Sequence, residues 1–253
     1  MEYVDTPTLA EIYLFTPGDQ DCWGEIVSGI LGVIQAHLWS HADPAETKDL
    51  VKRCKSMYID KPRRRFMRWW GGKLLSRSHY LYVNGRRLVA GPAALDKMQG
   101  VMEGIWHNPK PALIHGDLNF SNILYSAHSQ TFRLLDPRGS FGGDQGPGDA
   151  RYDVAKLRHS YAGMFDAAVH GLYRLQQTGS DQFVFHLGPD RSAAKNSIDQ
   201  CLESFGFAME EIRAIEASLF LSMLPLHASN PEKQWILYLR GLQLLDELLH
   251  DDQ

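Results

Sequence analysis

The chain has 253 residues, 44% hydrophobic and 22% charged, with 26 Lys and Arg against 30 Asp and Glu for a formal net charge of −4. That length makes one large domain or two small ones, and the composition excludes a disordered or collagen-like chain. The charge balance argues against bulk nucleic-acid binding, and three scattered cysteines (Cys22, Cys54 and Cys201) argue against a disulfide framework or zinc ribbon. The first residues lack a signal-peptide pattern, and no apolar run approaches the roughly 20 residues of a membrane span. The expectation is a cytoplasmic chain with neither nucleic acid nor membrane as a partner.

Taken in order, Thr6 or Thr8 can cap a helix that begins near Leu9. Apolar residues at Ile26, Ile30, Leu31, Val33, Ile34 and Leu38 repeat at helical spacing over 24–39. Asp43-Pro44 predicts a further helix start, running to about Met57, and Lys61-Pro62 predicts a break. Asn84-Gly85 between two short apolar runs predicts a hairpin over 80–89, followed by a helix over 92–106. Two short strands, 123–125 and 132–135, precede a glycine-rich loop over 138–149. From Tyr152 onward the pattern reads as helical, with helices near 192–204, 209–223 and 231–250. The fold class is therefore α+β, mainly helical with small β-hairpins, in a single domain spanning 1–253.

Chemistry concentrates in His115-Gly116-Asp117-Leu118-Asn119-Phe120-Ser121-Asn122 and in Leu134-Leu135-Asp136-Pro137-Arg138-Gly139. If the two short strands pair antiparallel, Asn122 and Asp136 become neighbours at about 5 Å between α-carbons. An amide oxygen and a carboxylate converging there suit Mg²⁺, which takes few protein ligands and leaves positions for phosphates. Asp117, on the loop feeding the hairpin, is placed to address a substrate hydroxyl beside the metal. Pro137 is expected to keep Asp136 on extended backbone.

His-x-Asp-x-x-x-x-Asn followed by an aspartate–glycine motif resembles the catalytic core of the protein-kinase-like phosphotransferases, in the version of the aminoglycoside phosphotransferase and choline kinase family. Gly148-Asp149-Ala150-Arg151-Tyr152-Asp153-Val154-Ala155-Lys156-Leu157 resembles that family's next signature, and Met1-Glu2-Tyr3-Val4 its adenine-holding hinge. The resemblance runs from residue 1 to about 165. It implies the C-terminal lobe of such an enzyme, with ATP and Mg²⁺ as cofactors. By the same resemblance Asp117 is catalytic, Asn122 and Asp136 hold the metal, Glu2, Tyr3 and Val4 bind the nucleotide, and His115 and Asp153 support the catalytic loop. The acceptor would be a small hydroxylated molecule: a sugar or polyol, an amino alcohol, or an aminoglycoside.

The resemblance departs at the N-terminal lobe. The glycines at 139, 142, 143, 146 and 148 follow Asp136, so they cannot form a phosphate-covering loop ahead of the hinge, and no Gly-x-x-x-x-Gly-Lys-Ser/Thr motif exists. The expectation is a chain lacking that lobe, either truncated or working with a separate N-terminal-lobe chain. The alternative function is a catalytically weak or inactive module that binds nucleotide or a partner chain. Two further segments stay open. Arg63-Arg64-Arg65-Phe66-Met67-Arg68-Trp69-Trp70 reads as a site for an acidic or sugar-like acceptor, or as a solvated face over packed aromatics. His227, Asn230, Gln234 and Trp235 read as an acceptor pocket, or as chemistry of a helix connection. Arg138 reads equally as a phosphate or substrate contact and as a surface arginine.

Overall fold

Thr8 opens the first helix, α1 (Leu9–Phe15), with a reciprocal capping box: its hydroxyl accepts from Glu11 N–H while the Glu11 carboxylate accepts from Thr8 N–H. The computed structural model of the chain describes residues 5–16, 20–42, 48–71, 78–143 and 145–250. Glu2, Tyr3 and Val4, and the Asp43-Pro44 helix start, lie outside the described residues.

Helix α2 (Trp23–His37) follows, then α3 (Leu50–Lys55) and α4 (Lys61–Gly71). The break expected at Lys61-Pro62 does not occur. A π-helical turn, Ser56–Asp60, joins α3 to α4 and is closed by Lys61 N–H donating to the Ser56 carbonyl. In a regular helix the Pro62 ring would collide with the carbonyl four residues back; the wider turn takes up that conflict. Strands β1 (Tyr80–Val83) and β2 (Arg86–Val89) flank Asn84 and Gly85 at φ 50° and 81°, the positive pair that a tight hairpin turn requires. Helix α5 (Gly91–Glu103) and the short strand β3 (Pro111–Ala112) lead to β4 (Ile123–Ser126) and β5 (Thr131–Leu134). Strand β6 (Gly148–Asp149) pairs with β3 and runs into α6 (Ala150–Tyr161) and α7 (Phe165–Val169).

The helical reading after Tyr152 fails at one place. A hairpin, β7 (Tyr173–Gly179) and β8 (Gln182–Leu187), stands between α7 and α8 (Ser192–Ser204). Along β8, Phe183 and Phe185 are buried while Gln182, Val184 and His186 are exposed, the two-residue period of a half-buried strand. Strand β8 joins β1 in parallel, so a four-stranded sheet of order β2-β1-β8-β7 replaces an isolated hairpin. Helices α9 (Met209–Met223) and α10 (Pro231–His250) complete the chain, which is mixed α+β, largely helical, with small sheets. Among the described residues no helix is long and apolar enough to cross a membrane.

Helix α6 is buried around its whole circumference although it carries Arg151, Asp153, Lys156, Arg158 and His159. Charged residues are almost never enclosed unless paired. The partners of Arg151, Asp153, Lys156 and Arg158 map the centre of the molecule.

Candidate active site

The β3–β6 pair delivers the chain to the loop at His115. Gly116 adopts φ 79°, and a β-carbon there would stand 3.0 Å from Arg138 Cβ, so both conformation and space call for glycine. The resulting turn points two successive N–H groups, of His115 and Gly116, at the two carboxylate oxygens of Asp153, each at 2.8 Å. Trp39 Nε1–H adds a third bond at 3.3 Å. Asp153 lies in the first turn of α6 with no exposed surface; burial pushes its carboxyl up to about 6, against the pull of these three donors. His115 is buried, its carbonyl accepts from Arg138 N–H at 2.7 Å, and its Nδ1 accepts from Asp117 N–H at 3.3 Å. Burial lowers its pKa, with the Leu135 carbonyl and Asp117 opposing, which favours the neutral ring that such an acceptor nitrogen needs.

Asp117 is 9% exposed and held by two cations: Lys156 Nζ at 2.7 Å from Oδ1 and Arg138 Nη2 at 2.9 Å from Oδ2. Burial raises its carboxyl, but Lys156 and then Arg138 more than offset this, and its pKa is lowered. Asp117 is therefore a carboxylate at neutral pH, suited to accept a hydrogen bond from a hydroxyl. Lys156 is buried whereas Arg138 is half exposed, so only the second contact is open to solvent.

Asn122 closes a 3₁₀ turn, Phe120–Asn122, capped by the Asn119 side chain. Its Nδ2 donates to the Asp117 carbonyl at 2.9 Å, and among the described residues its Oδ1 accepts nothing. The hairpin register is one residue away from the expected one. Ile123 pairs with Leu134, and Leu135 N–H donates to the Asn122 carbonyl at 2.9 Å, so Asn122 faces Leu135 and Asp136 lies one residue beyond. Asp136 is not extended either: it sits at φ 55°, in the left-handed region. Pro137 bars the right-handed helical conformation but leaves that region to an aspartate. Asp136 is flanked by Leu135, bonded to Asn122, and by Arg138, bonded to His115 and Asp117; its own carboxylate is exposed and has no hydrogen-bond or ion-pair partner among the described residues. A strained backbone under an unengaged carboxylate is a recurrent mark of function. One amide oxygen and one carboxylate fit Mg²⁺ sharing phosphate and water ligands. Among the described residues no group of three or more His, Cys, Asp or Glu could hold a metal ion by itself.

Several supporting residues were not legible in the sequence. Lys156 follows Asp153 by three positions on α6, so both face the 115–117 loop, and that spacing was the available signal. Ser121 donates to Asp166, and Phe120 N–H donates to Ser160 Oγ at 2.9 Å, which pins the 3₁₀ turn. Asp149 caps α6 and forms a wholly buried pair with Arg151 at 2.7 Å. The Asn230 side chain accepts from Lys233 N–H, Gln234 donates to the Leu224 carbonyl, and Trp235 stacks on Phe183, all of which is connection and core chemistry.

Comparison of the chain with protein-family models, with curated proteins and with solved structures returns no match.

Proposed function

We propose that this chain, as the C-terminal lobe of a protein-kinase-like phosphotransferase, transfers the γ-phosphoryl group of ATP to a hydroxyl of a small molecule. One observation carries this reading. An ionised, nearly buried aspartate, Asp117, rides on a loop clamped from behind by Asp153, and its own backbone carbonyl holds Asn122, whose carbonyl accepts from Leu135 N–H one residue before the unengaged Asp136 at φ 55°. Phosphoryl transfer asks a protein mainly for positioning and charge compensation, and that is what these residues offer.

Asp117 accepts the acceptor's hydroxyl proton in a hydrogen bond and turns the oxygen for in-line attack. With its pKa lowered by Lys156 and Arg138, it orients early and takes the proton late. Asn122 Oδ1 and the Asp136 carboxylate would hold Mg²⁺, which neutralises charge on the ATP phosphates. Lys156 keeps Asp117 ionised, and Arg138, the half-exposed partner, gives way to the acceptor hydroxyl.

A non-catalytic module that binds nucleotide or a partner chain has one observation in its favour: both Asp117 oxygens are already engaged, at 2.7 and 2.9 Å. Calorimetry of ATP with and without Mg²⁺, on the wild type and Asp136→Ala, tests the metal assignment; equal Mg²⁺-dependent affinity in the two proteins would refute it. Transfer of label from ATP to a panel of hydroxyl compounds separates the enzyme from the silent module.

A further inference from the structure

Helix α4 carries an unanswered charge. Lys61 and Arg65, one turn apart, line a cleft together with Arg138 and Lys156, the two cations that hold Asp117. The buried Ser218 and Ser222 of α9 add hydroxyls, and among the described residues no carboxylate lines the cleft. Arg138 and Lys156 are answered by Asp117. Lys61 and Arg65 have no ion-pair partner among the described residues; Lys61 Nζ reaches only Met57 Sδ, at 3.5 Å. Both are half-buried. Burial, with Arg65, Arg138, Lys156 and Arg64 nearby, lowers the Lys61 pKa to about 8. Partly enclosed cations without a counter-charge are costly, and an anion seated between them removes the cost.

Space in the cleft is narrow. Its cavity volume is about 40 Å³. That suits one compact acid group inserted end-on, not a ring bearing several ammonium groups. Cationic acceptors would also meet the uncompensated charges of Lys61 and Arg65 at close range.

Resting on the phosphotransferase reading, we infer that the acceptor is an anionic hydroxyl compound, whose phosphate or carboxylate group docks between Lys61 and Arg65 while its hydroxyl reaches Asp117. The cationic segment of α4 thus divides its work: Phe66 and Trp69 are buried, Arg63, Arg64 and Arg68 face solvent, and Lys61 and Arg65 turn to the cleft. A basic amine is excluded by charge, which separates this site from one built for an amino alcohol or aminoglycoside.

Lys61, with its lowered pKa, also supplies a direct readout, because its neutral amine can be acetylated and the modified peptide quantified by mass spectrometry. Millimolar inorganic phosphate is expected to protect Lys61 in the full chain, and choline at equal concentration to leave it unprotected. In Arg65→Gln the phosphate needed for half protection should rise about tenfold, the equivalent of one lost charge-assisted contact, whereas Arg65→Lys should retain most of the effect. Mg²⁺-ATP affinity should be unchanged in Arg65→Gln. Glucose 6-phosphate and gluconate as protectants distinguish a phosphate from a carboxylate headgroup. Failure of phosphate to protect, equal protection by choline, or wild-type protection in Arg65→Gln would overturn the inference. If Asp136→Ala binds Mg²⁺-ATP as the wild type does, the phosphotransferase reading falls, and with it the assignment of this cleft to an acceptor, whatever Lys61 shows.

Discussion

Asp117 shows how the ionisation of one carboxylate is set by neighbours from distant positions. Lys156 contributes the larger share of the lowering and is itself buried, so removing it leaves Asp117 enclosed with only a half-exposed arginine. In Lys156→Met the Asp117 pKa rises. On the proposed reading the rate needs the ionised form, so the acid limb of the pH–rate profile should move to higher pH; an unshifted limb would separate Lys156 from Asp117 function. Asp117→Asn should lower kcat by about 10²–10⁴ with Mg²⁺-ATP affinity kept, as measured by label transfer and calorimetry. Behind the loop, Asp153→Ala strips the acceptor from the His115 and Gly116 N–H groups and should cost about 1.5–3 kcal/mol in urea unfolding.

At the scale of elements, the start of α6 depends on the buried Asp149–Arg151 pair. Tyr58 donates to Asp149 at 3.1 Å, and Arg151 also reaches Glu211 at 2.7 Å and the Ile105 carbonyl at 3.1 Å. Asp149→Ala leaves a guanidinium with no exposed surface short of its main counter-charge, at an expected cost of about 3–5 kcal/mol. Denaturant unfolding measures it, and a cost below about 1 kcal/mol would mean that the site admits water or rearranges. Because α6 also carries Asp153 and Lys156, the same variant should lose turnover at temperatures where the fold survives. Helix α4 shows a second dependence: the π turn before it shifts the helical phase, and with it which of its cations look toward α6 and α9.

Across the whole molecule, the four-stranded sheet ties the hairpin at 80–89 to a segment a hundred residues later. Asn84 acts as a surrogate strand residue: its Nδ2 donates to the Phe185 carbonyl at 3.0 Å, and its Oδ1 accepts from Phe185 N–H at 2.9 Å. Asn84→Gly keeps the left-handed backbone of the turn and deletes both bonds. Hydrogen exchange at the Phe185 amide should accelerate, while the 123–134 hairpin, which lies in another sheet, stays unchanged; equal acceleration in both would mean global destabilisation instead.

The amino-acid sequence by itself determined what short-range backbone physics decides. Thr8 caps because its hydroxyl reaches an N–H three residues away. Asn84-Gly85 turns because those residues tolerate positive φ. The hydrophobic spacing of α8, α9 and α10 is a local period, and the His115–Asn122 segment holds its own turn, its cap and the Asn122–Asp117 bond within eight residues. Tertiary structure decided the rest, because the energy of a buried charge depends on what lies within a few ångströms and not on what lies nearby in the chain. Packing chose Lys156 for Asp117, Arg151 for Asp149 and Asp166 for Ser121. It set the hairpin register one residue from the expected one and put Asp136 in the left-handed region. The same packing drew β7 and β8 out of a helical-looking stretch by offering β1 as a partner, and turned Lys61 and Arg65 toward the cleft beside Asp117.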